Sequence, residues 1–150
     1  MLLWLMVTTR VAAEIIGVRY EALRNWLKQG LLHNATPEAR SWRRYGATDL
    51  CCLQLMKEGL AAGIPSDTLI DICSDAELRR IFDRLSSGTS GTSFSQPQYL
   101  LVWSTLAEPL FMLSPARSVA EEIGANPHPV TVVDLTYVQS TIADELARRA

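Results

Sequence analysis

A group of basic residues in the first third of the chain has the composition of a nucleic-acid contact surface. Between residues 18 and 45, six arginines and lysines stand against only two glutamates, which gives this stretch a net charge of +4. The six are Arg19, Arg24, Lys28, Arg40, Arg43 and Arg44. Guanidinium and ammonium groups attract the phosphate backbone of DNA, and arginine also pairs bidentately with guanine. An ordinary solvated face has the same composition, so the elements that carry these residues decide between the two interpretations.

Two short helices joined by a tight turn are predicted to carry half of this basic group. Residues 8–16 begin with threonines suited to an N-cap and continue with an apolar stripe of helical period. Gly17 follows, and glycine readily adopts the left-handed turn that ends a helix. Residues 20–29 form the second predicted helix, with Leu23 and Leu27 on its apolar face. This arrangement is a helix-turn-helix, in which the second helix enters the major groove of DNA.

The start of the second helix holds the predicted base contacts, because its N-terminal residues come nearest to the bases. Arg19 and Tyr20 stand there, and Arg19 is the candidate for a bidentate pair with guanine. Glu21 either accepts a hydrogen bond from a cytosine amine or orients an arginine. Arg24 is the candidate phosphate contact, with a carboxylate of the same chain as its structural alternative. Lys28 lies one turn further along and either contacts phosphate or is solvated.

A small hairpin, the wing, is predicted after the second helix. Leu31-Leu32 is predicted to be extended, residues 33–40 form a loop, and residues 41–45 return as a strand of alternating aromatic and basic side chains. The wing residues predicted to approach the flanking DNA backbone are Arg40, Arg43, Arg44 and Tyr45. For Tyr45, packing on the core of the helix-turn-helix is an equal alternative.

A change in composition divides the rest of the chain. Helical patterns continue from residue 48 to residue 85, and residues 86–98 are then rich in serine, glycine and threonine, as flexible linkers are. The last fifty residues predict a strand, a strand, a helix, a strand and a helix, which is a small α/β unit. We therefore expect a DNA-binding domain at 1–85, a linker at 86–98 and an α/β domain at 99–150 that acts in dimerisation or effector sensing.

Composition and charge exclude several classes of protein. With 48% apolar and 20% charged residues the chain is neither disordered nor collagen-like. The apolar run at residues 2–7 is too short for a membrane span, which takes about 20 residues, and no basic segment precedes it. Residues 1–65 carry eight basic and five acidic residues, whereas residues 66–150 carry six and eleven. This asymmetry is typical of a polyanion-binding part joined to another part, and we expect a cytoplasmic, nucleoid-associated protein without membrane contact.

No metal, cofactor or catalytic site is predicted. Cys51 and Cys52 are adjacent, so on a helix their side chains point about 100° apart, and with Cys73 they lack the convergent geometry of a tetrahedral site. We interpret all three as small buried hydrophobic side chains. His33 and His128 are the only histidines and neither lies in a nucleophile motif. The chain also lacks a phosphate-binding glycine loop with its lysine, so we do not expect an enzyme.

Taken in order, several short motifs of the first half resemble the DNA-binding domain of MerR-family transcriptional regulators. The motifs that carry the resemblance are Ala12-Ala13, Gly17-Val18, Leu23-Arg24, Gly30-Leu31-Leu32, Trp42-Arg43-Arg44-Tyr45, Asp49-Leu50 and Gly63-Ile64. The resemblance covers residues 7–73 and implies an α-rich winged helix-turn-helix domain, here followed by a small α/β unit. It also implies control of a promoter by distortion of DNA, with RNA polymerase as a candidate partner.

The chain departs from the family pattern in ways that limit what the resemblance implies. Asn25-Trp26 stand where the family usually has two tyrosines, and Arg19-Tyr20-Glu21 where it often has small residues or proline, so base preference does not transfer. Family members commonly dimerise through a long helix after the DNA-binding half, but the matching helix near residues 75–85 is short. We expect a homodimer through the α/β tail, with a self-contained domain or an effector pocket as alternatives for the tail.

The function predicted from the sequence is that of a regulator of transcription that binds specific sites in double-stranded DNA. One alternative is a DNA-binding accessory factor of a mobile element, of the excisionase or phage type, which uses the same winged fold. Another is a protein-interaction module whose helix-turn-helix packs on a partner protein.

Overall fold

The computed structural model describes residues 6–32, 44–86, 98–126 and 128–149. In chain order its elements are β1 (Val7–Thr8), α1 (Thr9–Ile16), α2 (Tyr20–Lys28), β2 (Arg44–Tyr45), α3 (Ala47–Ala61), α4 (Ser66–Cys73), α5 (Ala76–Ser86), β3 (Gln98–Trp103), β4 (Leu110–Pro115), a 3₁₀ turn (Ala116–Ser118), α6 (Val119–Ala125), β5 (Thr131–Asp134) and α7 (Leu135–Arg149). The expected fold class, a helix-turn-helix domain followed by a small α/β unit, is confirmed.

The helix-turn-helix forms where local signals predict it. The hydroxyl of Thr8 accepts a hydrogen bond from the backbone N–H of Val11 and caps α1. Gly17 ends α1 with φ of 78°, a left-handed conformation that costs glycine little. Lys57 of α3 then donates from Nζ to the carbonyl of Ile16 at 2.8 Å, which ties the turn to the centre of the domain.

The segment after α2 differs from its prediction. Leu31-Leu32 is predicted to be extended, but Leu32 has φ of 62° and both side chains are buried. The N–H of Leu31 donates to the carbonyl of Trp26 and the N–H of Gly30 to that of Leu27, a Schellman motif that closes α2. Leu31 therefore closes the end of α2, and the side chains of Leu31 and Leu32 pack in the core. The strand β2 pairs instead with β1, antiparallel, with Thr8 opposite Arg44.

Helix α3 is the centre of the molecule, because its side chains are buried on all sides from Leu50 to Met56. It packs against α1, α4, α5 and α7. Asp49, in its first turn, accepts a hydrogen bond from the N–H of Gly46 and forms an ion pair with Arg79 of α5 at 2.7 Å. Asp75 caps α5 by accepting from the N–H of Leu78.

The C-terminal elements follow the predicted order of two strands, a helix, a strand and a helix. The strands form an antiparallel sheet in the order β4-β3-β5. Alternate residues of β3 face opposite sides of the sheet, and Leu100 and Val102 point into the same core as the helices of the first half. On the other side Trp103 is buried and donates from Nε1 to the carbonyl of Asn126.

Helix α7 joins the two halves of the chain. Its buried residues Val138, Ile142 and Leu146 recur at the predicted four-residue spacing. They pack within one continuous hydrophobic core together with α1, α3 and α5. Of the expected linker, residues 87–97 lie outside the described residues, so the division into two domains stays a prediction. Among the described residues, no helix combines the length and the apolar character needed to cross a lipid bilayer.

Candidate nucleic-acid interface

The solvent face of α2 carries three of the predicted contact residues in one row. Tyr20, Arg24 and Lys28 are spaced four residues apart, so they lie above one another on the helix. Arg24 and Lys28 are exposed and Tyr20 is half-buried. Leu23, which lies about 100° from Arg24 around the helix, is fully buried and anchors α2. The packing of α2 therefore turns this polar row outward.

Arg19 stands at the entrance to α2. Its backbone is extended, its carbonyl accepts from the N–H of Leu23, and its side chain makes no capping hydrogen bond. The side chain is exposed. The structure therefore places Arg19 at the N-terminal end of the second helix, where a helix-turn-helix comes nearest to base edges.

The basic residues of this region differ from the other arginines in their partners. Within the described residues, ion pairs involve five arginines of α5 and α7, namely Arg79, Arg80, Arg84, Arg148 and Arg149. In the same part of the chain, no ion pair is formed by Arg10, Arg19, Arg24, Lys28 or Arg44. The surface of α1, α2 and β2 thus carries five basic side chains that form no ion pair within the described residues, and such side chains attract an anion such as DNA phosphate.

The two residues of β2 have opposite environments. Arg44 is exposed, whereas Tyr45 is only 1% exposed, as the alternation of a strand requires. The hydroxyl of Thr9 donates to the Tyr45 hydroxyl at 3.2 Å, so the tyrosine connects β2 to the start of α1. Tyr45 therefore takes the core position that was the alternative to a DNA contact. Arg40 and Arg43 lie outside the described residues.

One residue of this surface, Arg10, is not among the contact residues that the sequence predicts. Arg10, the second residue of α1, is exposed, and its guanidinium carbon lies 4.6 Å from the centre of the Tyr20 ring. Arg24 approaches the same ring at 5.7 Å. The only sequence signal for Arg10 is a basic residue within the first turn of α1, and its proximity to Tyr20 depends on how the two helices pack.

The three cysteines lie in the core, as their interpretation as small hydrophobic side chains expects. Cys51, Cys52 and Cys73 are all buried. Burial and the neighbouring Cys52 raise the pKa of the Cys51 thiol. The hydrogen bond with Cys52, followed by burial, raises the pKa of Cys73 well above the usual range. Thiols held in the protonated form are poor metal ligands and poor nucleophiles.

A small groove lies between the start of α3, the end of α5 and α7. Its lining comprises Ala47, Ser86, Gln139, Ile142, Ala143 and Leu146. It offers about 30 Å³, which is enough for roughly one water molecule. Pockets for drug-sized ligands measure about 300 Å³ or more, so this groove is too small for such an effector.

Comparison with known proteins agrees with this geometry. Residues 7–76 match the family described as MerR HTH family regulatory protein. The match begins with β1 and ends at the first residue of α5, so it contains the helix-turn-helix, β2, α3 and α4. No curated protein matches the chain.

Proposed function

Since residues 7–76 belong to the MerR family of helix-turn-helix DNA-binding regulators, we propose that this protein binds a specific site in double-stranded DNA and regulates transcription there. The observation that supports this function best is the set of exposed basic side chains on α1, α2 and β2 that form no ion pair within the described residues. Helix-turn-helix domains of this family are DNA-binding regulators and not enzymes. A cytoplasmic, nucleoid-associated location and a contact with RNA polymerase are part of the same proposal.

In this proposal the exposed side chains along α2 make different contacts with DNA. Arg19 reads a base edge, most naturally guanine, because it stands at the N-terminal end of the second helix. Arg24 and Lys28 lie further along the same helix and hold phosphates. Arg44 holds the flanking backbone from β2, together with Arg40 and Arg43 of the wing. Phosphate contacts fix the register of the domain, and the base contact gives sequence preference.

We further propose that two copies of the chain bind one operator. Dimeric helix-turn-helix proteins read half-sites about 34 Å apart, so that the operator mirrors the twofold symmetry of the protein. Helix α5 has 11 residues, about three turns, which is short for a coiled-coil dimer helix. The C-terminal α/β unit is therefore our candidate for the dimer interface.

Selection of DNA from a random-sequence duplex library by the purified protein tests this function. We expect enrichment of one palindrome-like site. Since log affinity falls by about 0.9 per unit of log salt for each phosphate contact, affinity should weaken about 3.5-fold per contact between 50 and 200 mM salt. Arg24→Gln and Arg44→Gln each reduce this salt dependence. The matched control is Arg80→Gln, which removes an exposed arginine that pairs with Glu77 on α5.

The alternative functions give different results in the same experiment. If no sequence is enriched at either salt concentration, sequence-specific DNA binding is refuted, and a stable co-purifying protein would then favour the protein-interaction module. A selected sequence that matches a recombination site of the genome, rather than a promoter region, would favour the mobile-element accessory factor.

A further inference from the structure

Arg10, Tyr20 and Arg24 form a cluster in which two cations share one aromatic ring. The guanidinium carbons lie 4.6 Å and 5.7 Å from the ring centre, both within the range of about 6 Å for cation–π attraction. Arg10 is the second residue of α1 and Tyr20 the first residue of α2. The cluster therefore bridges the two helices of the helix-turn-helix.

The cluster holds two positive charges that form no ion pair within the described residues. The two distances to the ring place the guanidinium groups no more than about 10 Å apart, where like charges repel each other. Glu14, four residues after Arg10, is the natural helical partner, but it pairs with Arg149 of α7 at 3.7 Å. In the described part of the chain no carboxylate forms an ion pair with Arg10 or Arg24. An anion bound between or beside the two groups would relieve this repulsion.

The position of Arg10 indicates which kind of anion this cluster binds. In a helix-turn-helix the first helix crosses the DNA backbone, whereas the start of the second helix approaches the bases. One DNA strand carries a phosphate for about every 3.4 Å of helix axis. Two guanidinium groups no more than about 10 Å apart can thus reach phosphates within about three steps of each other on one strand.

We propose that Arg10 contacts a DNA phosphate and that Tyr20 is a positioning residue, which holds Arg10 and Arg24 over the same strand. This inference rests on the DNA binding proposed above. It adds a contact on α1 and changes the role of Tyr20, whose ring acts through the two arginines. The hydroxyl of Tyr20 is not needed for that role.

Arg10→Gln tests the phosphate contact by fluorescence anisotropy. The probes are a labelled duplex selected by the wild-type protein and a scrambled duplex of equal length, each titrated from 50 to 300 mM salt. We expect the slope of log affinity against log salt to fall by about 0.9 per bound subunit, with affinity about eightfold lower at 0.1 M salt. The loss is the same on both duplexes, because phosphates carry no sequence information. Arg19→Gln, by contrast, weakens only the selected duplex.

The control for the change in net charge is Arg80→Gln. Arg80 is exposed on α5 and pairs with Glu77, so its removal takes away the same charge from a different helix. We expect its salt slope to match that of the wild type. A fall in slope as large as that of Arg10→Gln would show a general charge effect and overturn the proposal.

Two variants of Tyr20 test its positioning role. Tyr20→Phe keeps the ring and should bind like the wild type. Tyr20→Leu removes the ring and should weaken binding, and this loss should shrink when Arg10→Gln is already present, because the ring then has less to position. Equal losses of affinity in both backgrounds would overturn the coupling, as would a weakened Tyr20→Phe. Thermal unfolding followed by circular dichroism identifies any variant that fails to fold.

If Arg24→Gln lowers the salt slope and Arg10→Gln does not, the contact by Arg10 is refuted and DNA binding stands. If the wild-type protein binds neither duplex at 50 mM salt, both are refuted.

Discussion

Replacement of Gly59 by alanine should destabilise the protein, although the same change stabilises most helices. Alanine is favoured over glycine inside a helix by about 1 kcal/mol. At Gly59, however, the added Cβ would lie 2.4 Å from Cδ2 and 2.9 Å from Cδ1 of Leu69, far inside carbon contact distances of about 3.5 Å. Leu69 is fully buried, so its side chain has little room to move aside. Overpacking of this kind costs about 1–3 kcal/mol, which leaves a net loss of about 1 kcal/mol.

Urea unfolding of Gly59→Ala, followed by circular dichroism, measures this loss. Gly124→Ala in α6 is the matched control, because a Cβ there meets no described atom within 4 Å. We expect the control to gain about 0.5 kcal/mol in the free energy of unfolding. In a Leu69→Ala background the overlap is gone, so Gly59→Ala should become stabilising. If Gly59→Ala stabilises the otherwise unchanged protein as much as the control does, the close approach of α3 and α4 is refuted.

Three further predictions concern the elements that support the interface. Leu23→Ala removes the buried anchor of α2 and should lower the free energy of unfolding by about 2–5 kcal/mol in urea; a loss below about 1 kcal/mol would contradict the packing. Lys57→Met removes the hydrogen bond to the Ile16 carbonyl and should cost about 1.5 kcal/mol in the same assay, whereas an unchanged urea midpoint would exclude this anchor. Burial and contact with Cys52 raise the pKa of the Cys51 and Cys73 thiols in the folded protein, whereas the unfolded thiols ionise above about pH 8.5. The free energy of unfolding should therefore be highest below about pH 8.5. Above that pH it should fall by up to about 1.4 kcal/mol per pH unit for each of the two thiols. Substitution of Cys51 and Cys73 by alanine should make the urea midpoint nearly independent of pH above about 8.5. If the midpoint still falls with pH in this variant, other groups cause the pH dependence.

The parts of the fold that the sequence predicts correctly are those with local signals. Thr8 and Gly17 mark the two ends of α1, and the four-residue spacing of Val138, Ile142 and Leu146 marks α7. Each signal acts within about two turns of chain, so a single sequence contains it. The exposure of Arg19, Arg24, Lys28 and Arg44 was predictable for the same reason.

The parts that the sequence does not predict depend on contacts between distant residues. The pairing of β1 with β2 joins two-residue strands 37 positions apart, Val7 with Tyr45 at one end and Thr8 with Arg44 at the other. Such strands are too short to show an alternating pattern. Leu31-Leu32 suits a strand as well as a helix end, and only the hydrogen bond of Leu31 to Trp26 decides between them. The approach of Arg10 to Tyr20 depends on the packing of α1 on α2.

The position of α7 in the core affects the order in which the newly made chain can fold. Leu135, its first residue, is synthesised 107 residues after Lys28 ends α2. At roughly 5–20 residues per second, translation needs about 5–20 s to cover that interval. During this time the faces of α1, α3 and α5 that α7 covers are exposed to water and to other proteins. The DNA-binding surface thus reaches its final support late in synthesis, and slow translation of the last third of the chain should increase binding of chaperones to the nascent protein.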